Sequence, residues 1–359
     1  MTAPRAEAVV DLAAIKHNVG VLRTAAGGAE VLAAVKADAY GHGLVPVARA
    51  VLDGGATWLG VALVEEGVAL RAAGVEAPVL VLVEPPPGAG AVAAAYDLDL
   101  GVGTPASLGD AVSAGARVHL KADTGLARGG AVDFAGLAAA AVELGAEVVG
   151  VWSHLACADD PLAESNATQL ARFEDALRTA AAAGVTPRLR HLSNSAATLT
   201  MPRARYDLVR PGIAVYGLTP VPGEDFGLRP AMTLRARVAM TKRVPGGTGV
   251  SYGHRYRTAA ETTLALVPAG YGDGVPRHAS NAAPVWVAGA RRTVSGTVCM
   301  DQFVVDVGDA EVAAGDEVVL FGPGARGEPT AQDWADALGT ISYEIVTRIG
   351  ARVPRRYVG

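Results

Sequence analysis

The chain has 359 residues, half of them hydrophobic, 19% charged and 5% aromatic, with a net charge of −5 from 31 basic and 36 acidic residues. No long block of one sign runs through it, which argues against a nucleic-acid or membrane-surface partner and fits a small neutral or zwitterionic ligand. The length suits one barrel plus something smaller, with a core filled mostly by Ala, Val and Leu.

Two cysteines, Cys157 and Cys299, lie far apart and cannot form a disulfide framework, which points to a reducing compartment. The opening MTAPRAEAVV lacks the apolar core of a signal peptide, since Asp11 and Lys16 interrupt the run. No stretch approaches membrane-spanning length free of charge or turn residues. The expectation is a soluble, cytoplasmic protein.

In chain order, Asp11 caps a helix running to about Arg23, with Leu12, Ile15, Val19 and Leu22 on one face and Gly27-Gly28 closing it. A repeat follows. Apolar runs at 31–36, 58–63, 78–83, 99–102, 117–122, 148–153, 188–192 and 207–210 alternate with Ala-rich helical segments. Near-continuous apolar strands separated by helices imply a parallel sheet covered on its outer face, and eight such units suit a closed (β/α)8 barrel of the TIM type. An open doubly wound sheet is the second choice. The Ala clusters at 138–141 and 180–183 read as helix interiors.

Near Leu228 the texture changes. Runs at 233–244, 262–267, 283–287, 293–299, 303–307 and 317–321 alternate more strictly and are joined by Gly/Pro turns, as in a mainly antiparallel β domain. Helices over 331–338 and 341–349 precede the tail ARVPRRYVG. The linker chemistry of PVPGEDFGLRP puts the boundary near 225–232, giving a barrel over 1–229 and a β domain over 230–359.

Barrel active sites form at the carboxyl ends of the strands. This chain places Lys36 and Tyr40 after the first run, Lys121 to Arg128 after the fifth, and His154 at the sixth. Ser193-Asn194-Ser195 follow the seventh, and Arg210-Pro211-Gly212-Ile213 the eighth. Lys36 has an apolar run behind it, and desolvation favours the neutral amine that attacks an aldehyde. The plainer reading is a snorkelling surface lysine. Barrels often hold a phosphate at the last two loops, and the small residues of NSAAT and RPGIAVYG suit that use; NSAAT is also an ordinary helix cap. A phosphate beside a strand-end lysine suggests pyridoxal phosphate. Arg210 is unusual, because an arginine at the ring nitrogen would leave that nitrogen unprotonated and weaken the electron sink. Its alternative is a pair with Asp207.

GVGTPA at 101–106 loosely matches a dinucleotide fingerprint, but Thr104-Pro105 reads as a cap and first-turn proline. FGPGARG at 321–327 lacks the Lys-Ser/Thr of a P-loop. The histidines show no metal-ligand spacing, so no metal is expected. In the second domain GVSYGH, GYGDG and VCMDQF present polar or aromatic groups on glycine-rich turns, or place those tyrosines in a core or edge.

Taken in order, AVKADAYGHG, HLKADTGLARGG, WSHLACADD, LSNSAAT, VRPGIAVYG, VSYGHRY, GYGDGVPR, VCMDQF and ISYEIVTRIGARVPRRY resemble alanine racemases along nearly the whole chain. The resemblance implies a pyridoxal-phosphate barrel followed by a β domain, in a head-to-tail homodimer whose active sites take groups from both chains. Lys36 would carry the cofactor. Tyr40, Ser195, Gly212, Ile213 and Tyr343 would contact its phosphate, with Asn194 also among the cofactor-binding residues. Arg210 would face the pyridine nitrogen, with His154 linking it toward the second base. Arg128 would hold the phenolic oxygen side and the substrate carboxylate, oriented by Lys121 if that lysine is carbamylated. The partner would supply Tyr252 as second base and Met300 at the substrate carboxylate, with Tyr271 at the entrance.

Racemisation needs bases on opposite faces of Cα: Lys36 for D-alanine and Tyr252 for L-alanine. Tyr252 would need a cationic surround, such as the Arg210-His154 pair. The implied role is D-alanine supply for peptidoglycan. Alternatives are a racemase of broader amino-acid specificity, a non-catalytic pyridoxal-phosphate homeostasis protein, which would lack the Tyr252 and Met300 region, and a fold-related decarboxylase.

Overall fold

The computed structural model describes residues 4–359. Two compact units are present, one formed by Ile15–Ala39 with Leu44–Leu228, the other by the residues up to Ala14, Tyr40–Gly43 and Arg229–Gly359.

The first unit is an eight-stranded parallel sheet. Its strands are β1 (Glu30–Ala34), β2 (Trp58–Val61), β3 (Val79–Val81), β4 (Asp99–Val102), β5 (Val118–Lys121), β6 (Val148–Trp152), β7 (Leu189–His191) and β8 (Leu208–Val209). Each pairs with the next up to β7, and β8 returns to pair with β1 through Glu30↔Leu208 and Val31↔Val209. Bonds flanking β7 and β8 complete the circuit: Asp207 N–H donates to the Arg190 carbonyl at 3.1 Å and Arg210 N–H to that of Ser193 at 2.9 Å. Both faces of these strands are covered, so β2 to β5 are buried at every position. Inside, Leu32, Trp58, Leu80, Leu189 and Leu208 form one cluster.

All eight expected strands are found, most of them one to three residues shorter than the apolar runs. The Ala clusters fall inside helices Phe134–Glu143 and Glu164–Ala183. Thr104 caps helix Pro105–Ser113, its hydroxyl accepting the Ser107 N–H at 3.1 Å, so GVGTPA serves as a helix start.

In the second unit a six-stranded sheet runs Ala290–Thr293, Pro284–Val287, Glu317–Phe321, Met232–Arg237, Ala6–Asp11 and Arg355–Val358. Its pairs are antiparallel except the last, where Val9 lies opposite Arg356 in a parallel ladder. A three-stranded antiparallel sheet joins Met240–Val244, Thr262–Val267 and Phe303–Gly308. The expected run 233–244 breaks at Val238-Ala239, and each half joins a different sheet. The expected strand 293–299 is absent: the strand is Ala290–Thr293, and Gly296 turns the chain at φ 86°. The start of the chain also differs from a single cut after 229. Residues 6–11 alternate buried and half-buried side chains, the signature of a sheet with one open face, and they pair with residues 232–236.

Candidate active site

Asp11 caps helix Leu12–Ala26, its carboxylate accepting the Ala14 N–H at 3.0 Å, and β1 then leads to Lys36. Beyond Lys36 the backbone enters an unusual turn. Ala37, Asp38, Ala39 and Tyr40 all have φ of 52–53°, a left-handed turn built without glycine. It is tied down on both sides. Glu66 accepts the Ala37 N–H at 2.6 Å, and Asp38 accepts the Leu44 N–H at 2.7 Å. Such strain persists only where the surroundings over-determine it, and it aims the residue before it.

Lys36 is half-buried, and its Nζ has no hydrogen-bond or ion-pair partner among the described residues. Burial lowers its pKa, the Arg128 cation lowers it further, and Glu66 partly opposes both. Four other groups share this end of the barrel. Lys121, 7% exposed, sits 4.4 Å from the Trp152 ring centroid and is pushed down to about 8 by burial and then by Arg210 and Arg128. Arg128 is exposed on a loop closed by mutual backbone bonds between Lys121, Asp123 and Ala131.

Arg210 is buried. Its NH2 donates to the carbonyls of Ser153 (2.6 Å) and Leu192 (3.1 Å) and approaches His154 Nδ1 at 3.3 Å, while NH1 donates to His191 Nδ1 at 3.1 Å. No carboxylate pairs with it directly among the described residues. Asp207 is held by Arg190 instead, at 2.7 and 2.9 Å. Burial lowers Arg210 to about 9, still charged at neutral pH. Its Nε–H has no acceptor among the described residues.

His154 departs from expectation. Burial holds it well below its ordinary value, and the neighbouring cations Arg210, Arg128, Lys121 and Lys36 push the same way. It is neutral at physiological pH, so the Arg210-His154 pair carries one positive charge, not two.

The last two loops meet at Ser195. Its buried hydroxyl oxygen accepts the N–H groups of Gly212 (2.8 Å) and Ala214 (3.3 Å), and its own proton has no acceptor among the described residues. Asn194 caps helix Ser195–Thr200 by accepting the Ala197 N–H at 3.1 Å, so the ordinary cap and the ligand cradle coexist. Gly212 N–H is directed to Ser195, whereas Ile213 N–H has no acceptor among the described residues. A lysine without a partner, an orphan arginine N–H, and a hydroxyl and an amide with protons to give suit an aldehyde bearing a phosphate and a ring nitrogen.

Tyr40 and Tyr343 belong to the second unit, with ring centroids 6.3 Å apart. Burial drives the Tyr40 hydroxyl well above its usual value, with Tyr343 adding to it, so it stays a neutral donor. In the same unit Tyr252 is 69% exposed, Met300 53% and Tyr271 43%. Tyr252 is held by two crossed bonds: Ser251 Oγ donates to the Thr297 carbonyl at 2.6 Å and Thr297 Oγ1 to the Tyr252 carbonyl at 2.8 Å. Tyr271 and Met300 sit on adjoining turns, with Gly272 N–H donating to the Met300 carbonyl at 2.8 Å. The Met300 N–H has no acceptor among the described residues.

Sequence reasoning missed Glu66 and a buried polar file formed by Asp99, His119 and His191. The available signal was three ionisable residues inside otherwise apolar strands. Among the described residues no group of three or more His, Cys, Asp or Glu could hold a metal ion, and no helix is long and apolar enough to cross a membrane.

Residues 10–220 match the family model for the alanine racemase N-terminal domain, and residues 231–357 that for the C-terminal domain. The alanine racemase of Thermobifida fusca is 58% identical over 99% of this chain and 98% of its own length. Among solved structures, the alanine racemase of the D-cycloserine producer Streptomyces lavendulae superposes with a TM-score of 0.96 at 51% identity, covering 100% of this chain and 98% of that one. The alanine racemase of Bacillus anthracis with bound L-Ala-P gives 0.93 at 36% identity, covering 100% and 96%.

Proposed function

The chain belongs to the alanine racemase family, and on that premise we propose that it interconverts L-alanine and D-alanine by a two-base mechanism using pyridoxal 5'-phosphate held at Lys36. The observation that carries the reading is the partnerless Lys36 amine, lowered in pKa by burial and by Arg128, at the end of a barrel strand.

When bound, pyridoxal phosphate supplies an aldehyde with which amines condense and a conjugated ring that takes up the electron pair left by Cα–H cleavage. Ser195 Oγ–H and Ile213 N–H would hold the phosphate, with Gly212 fixing the Ser195 oxygen and Asn194 fixing the turn. Tyr40, whose hydroxyl burial keeps protonated, and Tyr343 are assigned to the phosphate as well. Arg210 would offer its orphan N–H to the pyridine nitrogen, and a donor there would keep that nitrogen unprotonated and favour simple proton return over transamination. Arg128 binds the phenolic oxygen side and the substrate carboxylate. On adding CO2 at its neutral amine and releasing a proton, Lys121 would become the anion that orients Arg128.

Two proton-carrying groups flank Cα. Lys36 Nζ removes the proton from D-alanine, and the phenol oxygen of Tyr252 of the partner subunit removes it from L-alanine. The exposure of Tyr252 on a clamped turn supports its presentation to a second copy in a head-to-tail homodimer. Met300 offers its unpaired N–H to the substrate carboxylate there, and Tyr271 narrows the entrance. In this arrangement the barrel, 1–229, carries the cofactor, and the domain 230–359 serves the partner's site. His154, being neutral, relays a hydrogen bond from Arg210 toward Tyr252 without adding charge. The free cysteines Cys157 and Cys299 suit a cytoplasmic enzyme supplying D-alanine for peptidoglycan.

Borohydride reduction followed by peptide mapping tests the reading. Label on Lys36, with loss of the circular dichroism of L-alanine and no CO2 release, is the expected result. Label on another lysine, or CO2 evolution, overturns it.

A further inference from the structure

A line of buried polar groups crosses the barrel interior beneath Arg210. Arg210 NH1 meets His191 Nδ1 at 3.1 Å, His191 Nε2 meets His119 Nδ1 at 2.8 Å, and His119 Nε2 meets Asp99 Oδ2 at 3.2 Å. The other Asp99 oxygen lies 2.7 Å from Arg117 Nε, and Arg117 reaches Asp97 at 2.6 Å at the outer end. Both histidines are fully buried and Asp99 equally so.

The direction of this line is forced by its ends. Arginine only donates and carboxylate only accepts. His191 must therefore accept at Nδ1 and donate from Nε2, and His119 must do the same toward Asp99. Burial lowers both imidazoles, well below the ordinary value for His191, so each is neutral and carries its one proton on Nε2. Every bond points the same way, from the cation at the rim to the carboxylate at the far end of the strands. Such a file polarises cooperatively.

The strands make room for it. Gly150 on β6 lies opposite His119, and a Cβ there would fall 2.3 Å from His119 Nδ1 and 3.0 Å from His191 Nε2. Trp152 stacks on His191 with ring planes 6° apart, and Arg210 lies 4.9 Å from the same indole.

We propose that Asp99, acting through His119 and His191, is the remote counter-charge of Arg210, positioning its guanidinium while keeping any carboxylate away from the rim. A carboxylate paired directly with Arg210 would offer a competing acceptor beside the cofactor ring. The neutral imidazoles deliver the anion's pull without its presence. The inference deepens the assignment of Arg210 to the pyridine nitrogen and rests on that assignment for its effect on the cofactor.

Asp99→Asn is the informative variant. Its amide oxygen is drawn to charged Arg117, turning the NH2 toward His119. His119 must then accept at Nε2 and hold its proton on Nδ1, His191 must follow, and Arg210 meets a donor instead of an acceptor. Two-bond 1H–15N correlation spectra of [15N]histidine-labelled enzyme report both tautomers directly, with or without turnover. The wild-type enzyme should show His119 and His191 protonated on Nε2 alone. Asp99→Asn should move His119 to Nδ1, alter the absorption spectrum of the bound cofactor, and lower kcat about ten- to hundredfold, the effect of losing a charge-assisted hydrogen bond. KM for alanine should change less, since alanine does not touch this line. Gly150→Ala should split the histidine pair and act on the cofactor spectrum in the same sense.

Wild-type imidazoles protonated on Nδ1, or charged at neutral pH, overturn the proposal even if neither variant folds. So does Asp99→Asn with unchanged tautomers and cofactor spectrum. Failure of borohydride labelling at Lys36 would instead overturn the cofactor assignment and leave the tautomer result standing.

Discussion

The carboxylate of Glu66 and the backbone N–H of Ala37 are joined at 2.6 Å, one residue beyond Lys36. The other Glu66 oxygen accepts the N–H groups of Ala62 (2.7 Å) and Leu63 (3.2 Å). One side chain thus ties the turn after β1 to the segment after β2. Glu66→Ala should cost about 1–3 kcal/mol of stability by orphaning these donors. It should also lower kcat more than Glu66→Gln, which keeps an acceptor. Denaturant unfolding and a racemisation assay check both, and equal kcat for the two variants would remove Glu66 as a support of Lys36.

Ala37 sits at φ 52° and is exposed. Glycine usually costs about 1 kcal/mol relative to alanine in a right-handed helix. In a left-handed turn the Cβ itself costs roughly 1–2 kcal/mol, so Ala37→Gly should be neutral or stabilising. A thermal melt decides it; a clear loss of stability would mean the turn is not left-handed in solution.

Burial and the cations around Lys121 lower it to about 8 from the ordinary lysine value of 10.5. The neutral amine is the form that adds CO2, and its fraction grows as pH rises through that value. At fixed dissolved CO2, a carbamate 13C signal should strengthen between pH 7 and 8 and vanish in Lys121→Arg. The stability sign follows from proton binding: between about 8 and 10.5 the unfolded chain holds more protons at this site, so its contribution to stability rises with pH. Chemical unfolding of wild type and Lys121→Met across that window measures the difference.

Asp273 is buried at the GYGDG turn, accepting from Arg5 at 2.5 and 3.0 Å and from the Gly270 N–H at 3.0 Å. Burial pushes its carboxyl up, but these bonds and the Arg5 and Arg352 charges prevail, leaving its pKa below the ordinary aspartate value of 3.8. Its stabilisation is therefore present above 3.8 and lost as pH falls through the lower folded value. Asp273→Asn should cost about 1.5–3 kcal/mol at pH 7, the worth of a hydrogen bond to a charged group, and flatten the acid limb of stability. An unchanged acid limb would assign the acid sensitivity elsewhere.

Tyr252→Phe removes one hydroxyl from an exposed ring. Racemisation of both enantiomers should be lost while the cofactor absorbance and the Lys36 label remain. Retained activity in this variant excludes the phenol as a base.

The barrel was legible because most of its strand positions are buried and so read as mainly apolar runs, broken only by a few ionisable residues such as Asp99, His119 and Arg190. The alternating half-buried strand 6–11 was hidden because it precedes a helix and its partners lie beyond residue 230. Lys36, Arg210 and Ser195 could be placed from strand ends alone. The Asp99, His119 and His191 file could not, since its members come from three strands and only the register of the closed sheet aligns them. His154 was misjudged as a cation for a related reason: its neutrality comes from neighbours distant in sequence.

The parallel ladder between residues 8–11 and 355–358 has a consequence for synthesis. Residues 6–11 wait unpaired on the ribosome until residues 232–236 emerge, and their other edge stays open until residues 355–358 follow. The barrel strands, all within residues 30–209, can pair well before then, so residues 6–11 present a long-lived open edge on the nascent chain, and chaperone capture is expected there.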